Sequence, residues 1–434
     1  MEHDFFFDRP NETRDRGQIE AHQRSALGRM FAEVFSHNAF YRRKYREAGW
    51  SGIPPLDDWE RFPFTSKAEL SQDAMENRPY GSNLTYPLER YLRLHQTSGT
   101  TGTPLVILDT WESWEGWKTS WGYIYRAAGV VPGDRIFVAS SFGLFVAFWP
   151  AYEYGPSLGC LTLAGGGQTS VQRLKTIFDH QATVLLCTPS YALYLPEVAR
   201  QEGLDLVRSP IRITIHAGEP GASIPSTKQR IAEAWGARCF DHIGGSEVGA
   251  YGFECHVQPG AVHVNELTHV CEVINPQTLE PVPPGDMGEL VITNVNRWAF
   301  PVIRYRTGDL VQFSPTAVCA CGRSLRMLEG GILARADDMM TIRGVNVYPA
   351  AIESAVRVFK EIAEFEGHVS RRHGMDQIEL KVELWPEYDT QTAQICAKLQ
   401  EELRQRLGLR IDIASVPPAS LPRYELKAKR FKRL

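Results

Sequence analysis

Apolar and polar positions change period several times along the chain. Gln18–Ala48 carries apolar residues at helical spacing among mixed charges and stops at Gly49, which predicts a helical segment. From about Gly129 to Ala217, short apolar runs alternate with helical patterns. Arg135–Ser140 and Thr183–Cys187 are predicted as buried strands, Val171–His180 and Tyr191–Gly203 as helices, and Arg212–Gly218 as the next strand. Pro196 fits the second helix only near its start or at a kink, because proline lacks an N–H and crowds the preceding turn. Such alternation implies right-handed crossovers and a mostly parallel sheet. Gly288–Val295 alternates more strictly and predicts an antiparallel or barrel-like part. The character changes near Leu333–Gly344. Beyond it, Asp376–Trp385 alternates like a half-exposed strand, Thr392–Gly408 is an amphipathic helix ended by glycine, and Arg410–Val416 is another strand. The pattern predicts an α/β protein with two domains, residues 1–334 and a small α+β unit at 335–434.

Composition narrows the class. The 434 residues are 43% hydrophobic and 23% charged, with a formal net charge of −4, as in a soluble globular protein too long for one core. Near-neutral charge gives no footing for a dedicated nucleic-acid binder. No apolar run is long enough to cross a bilayer. Met1-Glu2-His3-Asp4 lacks the basic-then-apolar plan of a secretory leader, so a cytoplasmic location is expected. Eight scattered cysteines do not form a disulfide framework and agree with a reducing compartment.

The densest polar–glycine stretch is Gln96–Pro104, "QTSGTTGTP", with Thr97, Ser98, Thr100, Thr101 and Thr103 around Gly99 and Gly102. Glycines let backbone N–H groups approach an anion, and hydroxyls add neutral donors. No lysine follows the second glycine, so this is not a Walker A loop. Taken alone, a threonine-rich surface turn accounts for it equally well. The loop resembles, however, the phosphate-binding loop of the adenylate-forming superfamily of acyl-CoA ligases and adenylation domains. Five further matches follow in order: "AGEP" (Ala217–Pro220), "GGSEVG" (Gly244–Gly249), "YRTGDL" (Tyr305–Leu310), "RADDMMTIRGVNVYP" (Arg335–Pro349) and "LPRYELKAKR" (Leu421–Arg430). "IRGVNVYPAAIE", "NAFYRRKYREAG" (Asn38–Gly49) and "FPFTSKAEL" (Phe62–Leu70) are similar to the phenylacetate–coenzyme A ligase branch. The resemblance spans nearly the whole chain.

That resemblance implies a large N-terminal domain of doubly wound sheets plus a small barrel-like part, followed by a small mobile C-terminal domain. It implies ATP-dependent activation of an aromatic acid, aryl or arylacetic, to an acyl-AMP, then thioester formation with coenzyme A. Capture of the adenylate by an amine or a carrier-protein thiol uses the same motifs. Both steps build negative charge, so cations and fixed donors should dominate. Lys427 is the expected catalytic lysine, bridging carboxylate and α-phosphate, with Lys429 next in line. The alternative is a solvated basic tail of Lys427, Lys429, Arg430, Lys432 and Arg433. Glu247 is expected to hold Mg²⁺, with Ser246 facing the phosphate or acyl group and Gly244 opening the motif. Ile243 stands where many relatives carry an adenine-stacking tyrosine. Ala217, Gly218, Glu219 and Pro220 are expected along the adenine, Asp309 on the ribose hydroxyls, and Arg335 on ribose or phosphate. Asp337 is the implied hinge, and Gly344 is expected near the thiol tunnel. A homodimer is the family expectation.

Two more constellations stand out. Cys255, His263, Cys319 and Cys321 supply three sulfurs and a nitrogen, a set that suits structural, tetrahedral Zn²⁺; His256 is an alternative fourth ligand, and buried free thiols are the plainer reading. The other cysteines, Cys160, Cys187, Cys239, Cys271 and Cys396, read as small hydrophobes. In Ser140–Gly155, rich in aromatics after a strand end, Phe142, Phe145 and Phe148 are candidate walls of an aryl slot, with His216 at a neighbouring strand end. Aromatics at helical spacing are more often core.

Overall fold

The structure is a computed structural model that describes residues 4–97, 104–342, 345–372, 375–425 and 427–434. The predicted helical segment near the N-terminus is two helices, Arg16–His37 and Ala39–Glu47. Asn38 divides them: its backbone is extended, and its side chain accepts from Tyr41 N at 3.0 Å. The same buried side chain donates to Asn83 Oδ1 and Thr85 Oγ1. A tertiary contact therefore fixes a cap that the helical periodicity runs straight through.

The main sheet has eight strands. Five are parallel, in the order Leu161–Ala164, Arg135–Val138, Val184–Cys187, Ile213–His216 and Arg238–Gly245. Gly249–Glu254, Ala261–Val264 and Met327–Glu329 continue the sheet in antiparallel fashion. Ile136, Val138, Leu186 and Ile215 pack beneath the Trp111–Ala128 helix with Trp114, Trp117 and Trp121. Phe137, Leu185, Cys187 and Cys239 face the helices Ser170–Asp179, Pro189–Gln201 and Pro225–Trp235. Burial on both faces explains why these strands read as unbroken apolar runs.

Pro196 lies well inside its helix rather than near the start. Proline removes the donor for the Ala192 carbonyl one turn earlier, and the buried Trp235 indole donates to that oxygen instead, at 3.0 Å.

A four-stranded antiparallel sheet, His269–Ile274, Met287–Asn294, Tyr305–Gln312 and Ala334–Arg335, carries the segment expected to be barrel-like. A separate hairpin pairs Tyr91–Gln96 with Val106–Thr110, so residues 97–105 join its strands. From Met340 onward the chain builds a six-stranded sheet around its own core, including Ile352, Phe365, Leu380, Leu399 and Leu403. Its helix Thr392–Leu407 ends on Gly408 in the left-handed region, φ 66°. The architecture is mixed α/β, as the alternation predicted. No described helix is long and apolar enough to cross a membrane.

Candidate active site

The strand Arg238–Gly245 turns back into Gly249–Glu254 through Ser246, Glu247 and Val248. Gly244 is required where the strands close, since a Cβ there would meet Gly249 O at 2.9 Å. Buried side chains from elsewhere take up all three turn carbonyls. Arg297 Nη1 donates to Ser246 O (2.8 Å) and Glu247 O (3.2 Å). Asn294 Nδ2 and His269 Nε2 donate to Val248 O at 2.6 and 3.0 Å. Burial pushes the His269 pKa down to about 4, so the ring is neutral, and its Nδ1 is left to accept from Thr268 Oγ1 at 2.8 Å. The turn is thus rigid, and it holds the Glu247 carboxylate 3.0 Å from Lys67 Nζ.

At the neck of the glycine-rich loop, Thr97 N donates to Leu105 O and Leu105 N to Thr97 Oγ1, each at 3.0 Å. Ser98, Gly99, Thr100, Thr101 and Gly102 lie outside the described residues. Gln96 N donates to Leu144 O at 2.8 Å, which lays the aromatic segment along the hairpin edge.

Ala217–Pro220 leaves the strand Ile213–His216 with Gly218 at φ +99°, a conformation that favours glycine. The Glu219 carboxylate accepts from Ser190 N (2.8 Å) at one helix N-terminus and from Ala428 N (2.7 Å). Burial raises the Glu219 pKa; Arg430 and these hydrogen bonds oppose that rise. The Ala428 bond brings Lys427 to the site: its Cε lies 3.6 Å from where a Gly218 Cβ would stand, and its Nζ 5.9 Å from the Phe145 ring centre. Lys427 remains open to solvent, yet enough protein crowds it to lower its pKa, against the pull of Glu219, Glu247 and Asp309. Lys429 is exposed. The rest of the basic tail is not free: Arg430 is buried on Glu364 (2.8 Å), and Lys432 reaches Glu366 at 2.5 Å.

Asp309 and Arg335 are cross-strand partners, with Arg335 Nη1 at 3.0 Å from Asp309 Oδ1. Arg335 also grips Asp337, Nε to Oδ1 at 3.0 Å. Burial raises the Asp309 pKa and Arg335 opposes it. One guanidinium thus joins the candidate ribose ligand to the candidate hinge. Gly344 lies outside the described residues.

The grouping of Phe142, Phe145 and His216 is corrected by the structure. Phe142 packs on Trp149 and Tyr152, ring centres at 4.6 and 5.1 Å, on the side of the Trp111–Ala128 helix. His216 points to the opposite face of its strand. It is fully buried beside Cys187, with Nδ1 3.0 Å from Cys187 O. Side chains alternate along a strand, so Ile215 faces the aromatic layer and His216 cannot. Burial also drops the His216 pKa to about 3. Its cross-strand neighbour Asp241 is a residue the sequence reading missed: burial, then Glu254, raises that carboxyl from 3.8 to about 7.

Cys255, His263, Cys319 and Cys321 converge, with all four donor atoms within 4.8 Å of one another. His263 Nδ1 lies 3.1 Å from Leu325 O, which turns Nε2 towards Cys321 Sγ at 3.5 Å. Hydrogen bonding from Cys255, and then from His263, holds Cys321 far below the usual thiol range. His256 instead stacks on Phe5 at 3.5 Å.

A family profile described as the AMP-binding enzyme C-terminal domain matches residues 344–433. The phenylacetate-coenzyme A ligase of Pseudomonas putida is 32% identical over 429 residues, covering 96% of this chain and 95% of that protein. The crystal structure of 2-hydroxyisobutyryl-CoA ligase in its postadenylation state with 2-HIB-AMP superposes with a TM-score of 0.92 at 28% identity, covering 97% of this chain and 91% of that one. The same ligase with 2-HIB-AMP and CoA in its thioesterification state gives 0.73 at 29% identity, over the same shares.

Proposed function

Since the chain belongs to the phenylacetate–coenzyme A ligase family, we propose that its acid is aromatic, an aryl or arylacetic carboxylate, and that Lys427 carries the first chemical step. The protein is an AMP-forming acid–thiol ligase. A carboxylate oxygen attacks the α-phosphorus of ATP, the bond to pyrophosphate breaks, and acyl-AMP forms. A coenzyme A thiolate then attacks the acyl carbon, the carbon–oxygen bond breaks, and AMP leaves.

The observation that supports this assignment is the Glu219–Ala428 bond, which seats Lys427 against Gly218 within reach of Glu247 and Asp309. An ammonium there offsets the repulsion between two anionic reactants. Thr97 and the hydroxyl loop would cradle the triphosphate, Ser246 would meet the phosphate or acyl group, and Ala217–Pro220 and Gly244 would line the adenine. Asp309 would accept from the ribose hydroxyls, freed from part of its hold on Arg335. Glu247 suits Mg²⁺, a hard cation that would screen the phosphates; Lys67 sits where that cation would compete for the carboxylate. Phe145, whose ring centre lies 5.9 Å from Lys427 Nζ, would be one aromatic wall of the acid slot. Residues 335–434 would move as a unit about Asp337. The cysteine–histidine set would hold a structural Zn²⁺ with no open position.

Acid-dependent AMP release, measured over a panel of aryl and arylacetic acids with coenzyme A, an amine or a carrier-protein thiol as acceptor, tests this reading. Thioester formation with an arylacetic or aryl acid is expected. Preference for an aliphatic acid would overturn the aromatic assignment, and amide formation would overturn the choice of acceptor.

A further inference from the structure

The small C-terminal unit is fastened to one face of the helix Pro189–Gln201. Near its start, Ser190 Oγ accepts from Arg430 Nη2 at 3.1 Å. Two turns on, Glu197 receives Arg423, Nε to Oε2 at 2.7 Å and Nη2 to Oε1 at 3.2 Å. At the end, Arg200 covers the Trp385 ring at 4.5 Å. Each of the two arginines from the small unit that reach this helix also has an acceptor within the small unit. Arg423 bonds Glu383 at 2.5 and 3.0 Å, and Glu383 is itself pinned by Ala419 N and Leu421 N. Arg430 bonds Glu364 at 2.8 and 3.1 Å.

This doubling has a physical consequence. A partly buried cation stripped of its only acceptor is strongly destabilised, which would lock a moving unit in place. Arg423 avoids that, because it can leave Glu197 and remain paired to Glu383. The crossing bond can therefore favour one pose without making departure prohibitive, as a two-state element requires. Arg423 lies four residues before Lys427, and the residue after Lys427 is anchored by Ala428 N to Glu219 on the far side. The pose in hand superposes better on the postadenylation form of 2-hydroxyisobutyryl-CoA ligase than on its thioesterification form.

We propose that Glu197 is a positioning residue for acyl-AMP formation alone: by gripping Arg423 it holds Lys427 in the site during the first step, and it plays no part in the second. The proposal rests on the ligase reading. Among the described residues its ion pair is with Arg423, and it acts through that arginine.

The test separates the half-reactions of the full-length protein. Pyrophosphate release in a single turnover reports the first; consumption of supplied acyl-AMP by coenzyme A reports the second. Glu197→Gln should slow the first about tenfold, the scale of one partly buried charge-assisted contact, and leave the second unchanged or faster. Arg423→Gln combined with Glu197→Gln should be no slower than Arg423→Gln alone, because both remove one contact. Glu197→Asp should recover part of the rate. The melting temperature of Glu197→Gln should stay close to the parent, since Arg423 keeps Glu383. Equal slowing of both half-reactions, no slowing of either, or multiplying effects of the two substitutions would overturn the proposal. A parent protein that released no pyrophosphate with any acid would instead overturn the ligase reading.

Discussion

Arg297 and Asp109 form a fully buried, two-pronged pair, Nε to Oδ1 and Nη2 to Oδ2 both at 2.6 Å, and the remaining Arg297 nitrogen holds the carbonyls beneath Glu247. Asp109 lies on the strand leaving the glycine-rich loop, and Arg297 stacks over Trp117 at 4.3 Å. One guanidinium therefore fixes the distance between the loop strand and the Glu247 turn. Asp109→Ala should destabilise the protein by about 3–5 kcal/mol in urea denaturation, because it strands a buried cation. Asp109→Leu with Arg297→Met should recover most of that loss yet leave acyl-AMP formation impaired, because the Ser246 and Glu247 carbonyls lose their donor. Normal activity in the stable double variant would refute the positioning role.

Asp241 makes stability depend on pH. Its folded-state pKa is raised from 3.8 to about 7 by burial and then by Glu254. A raised pKa means the folded state holds the proton more tightly than the unfolded chain. The stabilisation is full below about pH 4 and is lost as pH rises through 7. At 1.36 kcal/mol per unit, the swing is on the order of 4 kcal/mol. Asp241→Asn should flatten this part of the curve of unfolding free energy against pH. An unchanged slope between pH 4 and 7 would show that the carboxyl is ionised throughout.

These two groups mark the limit of what the residues alone reveal. The alternating strands, the glycine-ended helix at Thr392–Leu407 and the ordered motifs are local patterns, so they are legible in the chain. Asp109 and Arg297 are 188 residues apart, and neither sits in a telling motif. Lys67 lies within a segment whose resemblance is plain, but its pairing with Glu247 is a tertiary fact. His216 was misplaced for a different reason: proximity to "AGEP" in sequence says nothing about which sheet face a strand residue occupies. The Asn38 cap and the Pro196 rescue by Trp235 were likewise decided by distant donors and acceptors.

The cysteine–histidine cluster should release metal to a chelator and loosen the N-terminal segment with it. Three thiolates around Zn²⁺ carry a net negative charge. The buried Arg323 guanidinium, 3.5 Å from Cys321 Sγ and paired with Glu12 at 2.5 Å, would offset that charge. Chelation, or Cys321→Ser, is expected to lower the melting temperature by several degrees and to make the region around Glu12 more sensitive to protease. Metal analysis of the purified protein finding no zinc, with chelation leaving the melt unchanged, would favour plain buried thiols.

Lys427 gives a prediction in which charge and pose must agree. Its ammonium is useful only while protonated, and crowding by protein lowers its pKa below that of an ordinary lysine. Acyl-AMP formation should therefore fall on the alkaline side at a lower pH than a free lysine would dictate. Lys427→Ala should cut the first half-reaction by about a hundredfold or more, the scale of one lost charge-stabilising donor, and should spare thioester formation from supplied acyl-AMP. Lys427→Arg keeps a cation at any working pH, so whatever activity it retains should lose the alkaline decline. The two substitutions separate charge from mere placement: an arginine variant that still declines at the parental pH would assign the decline to another group. Unchanged acyl-AMP formation in Lys427→Ala would remove this lysine from the chemistry altogether.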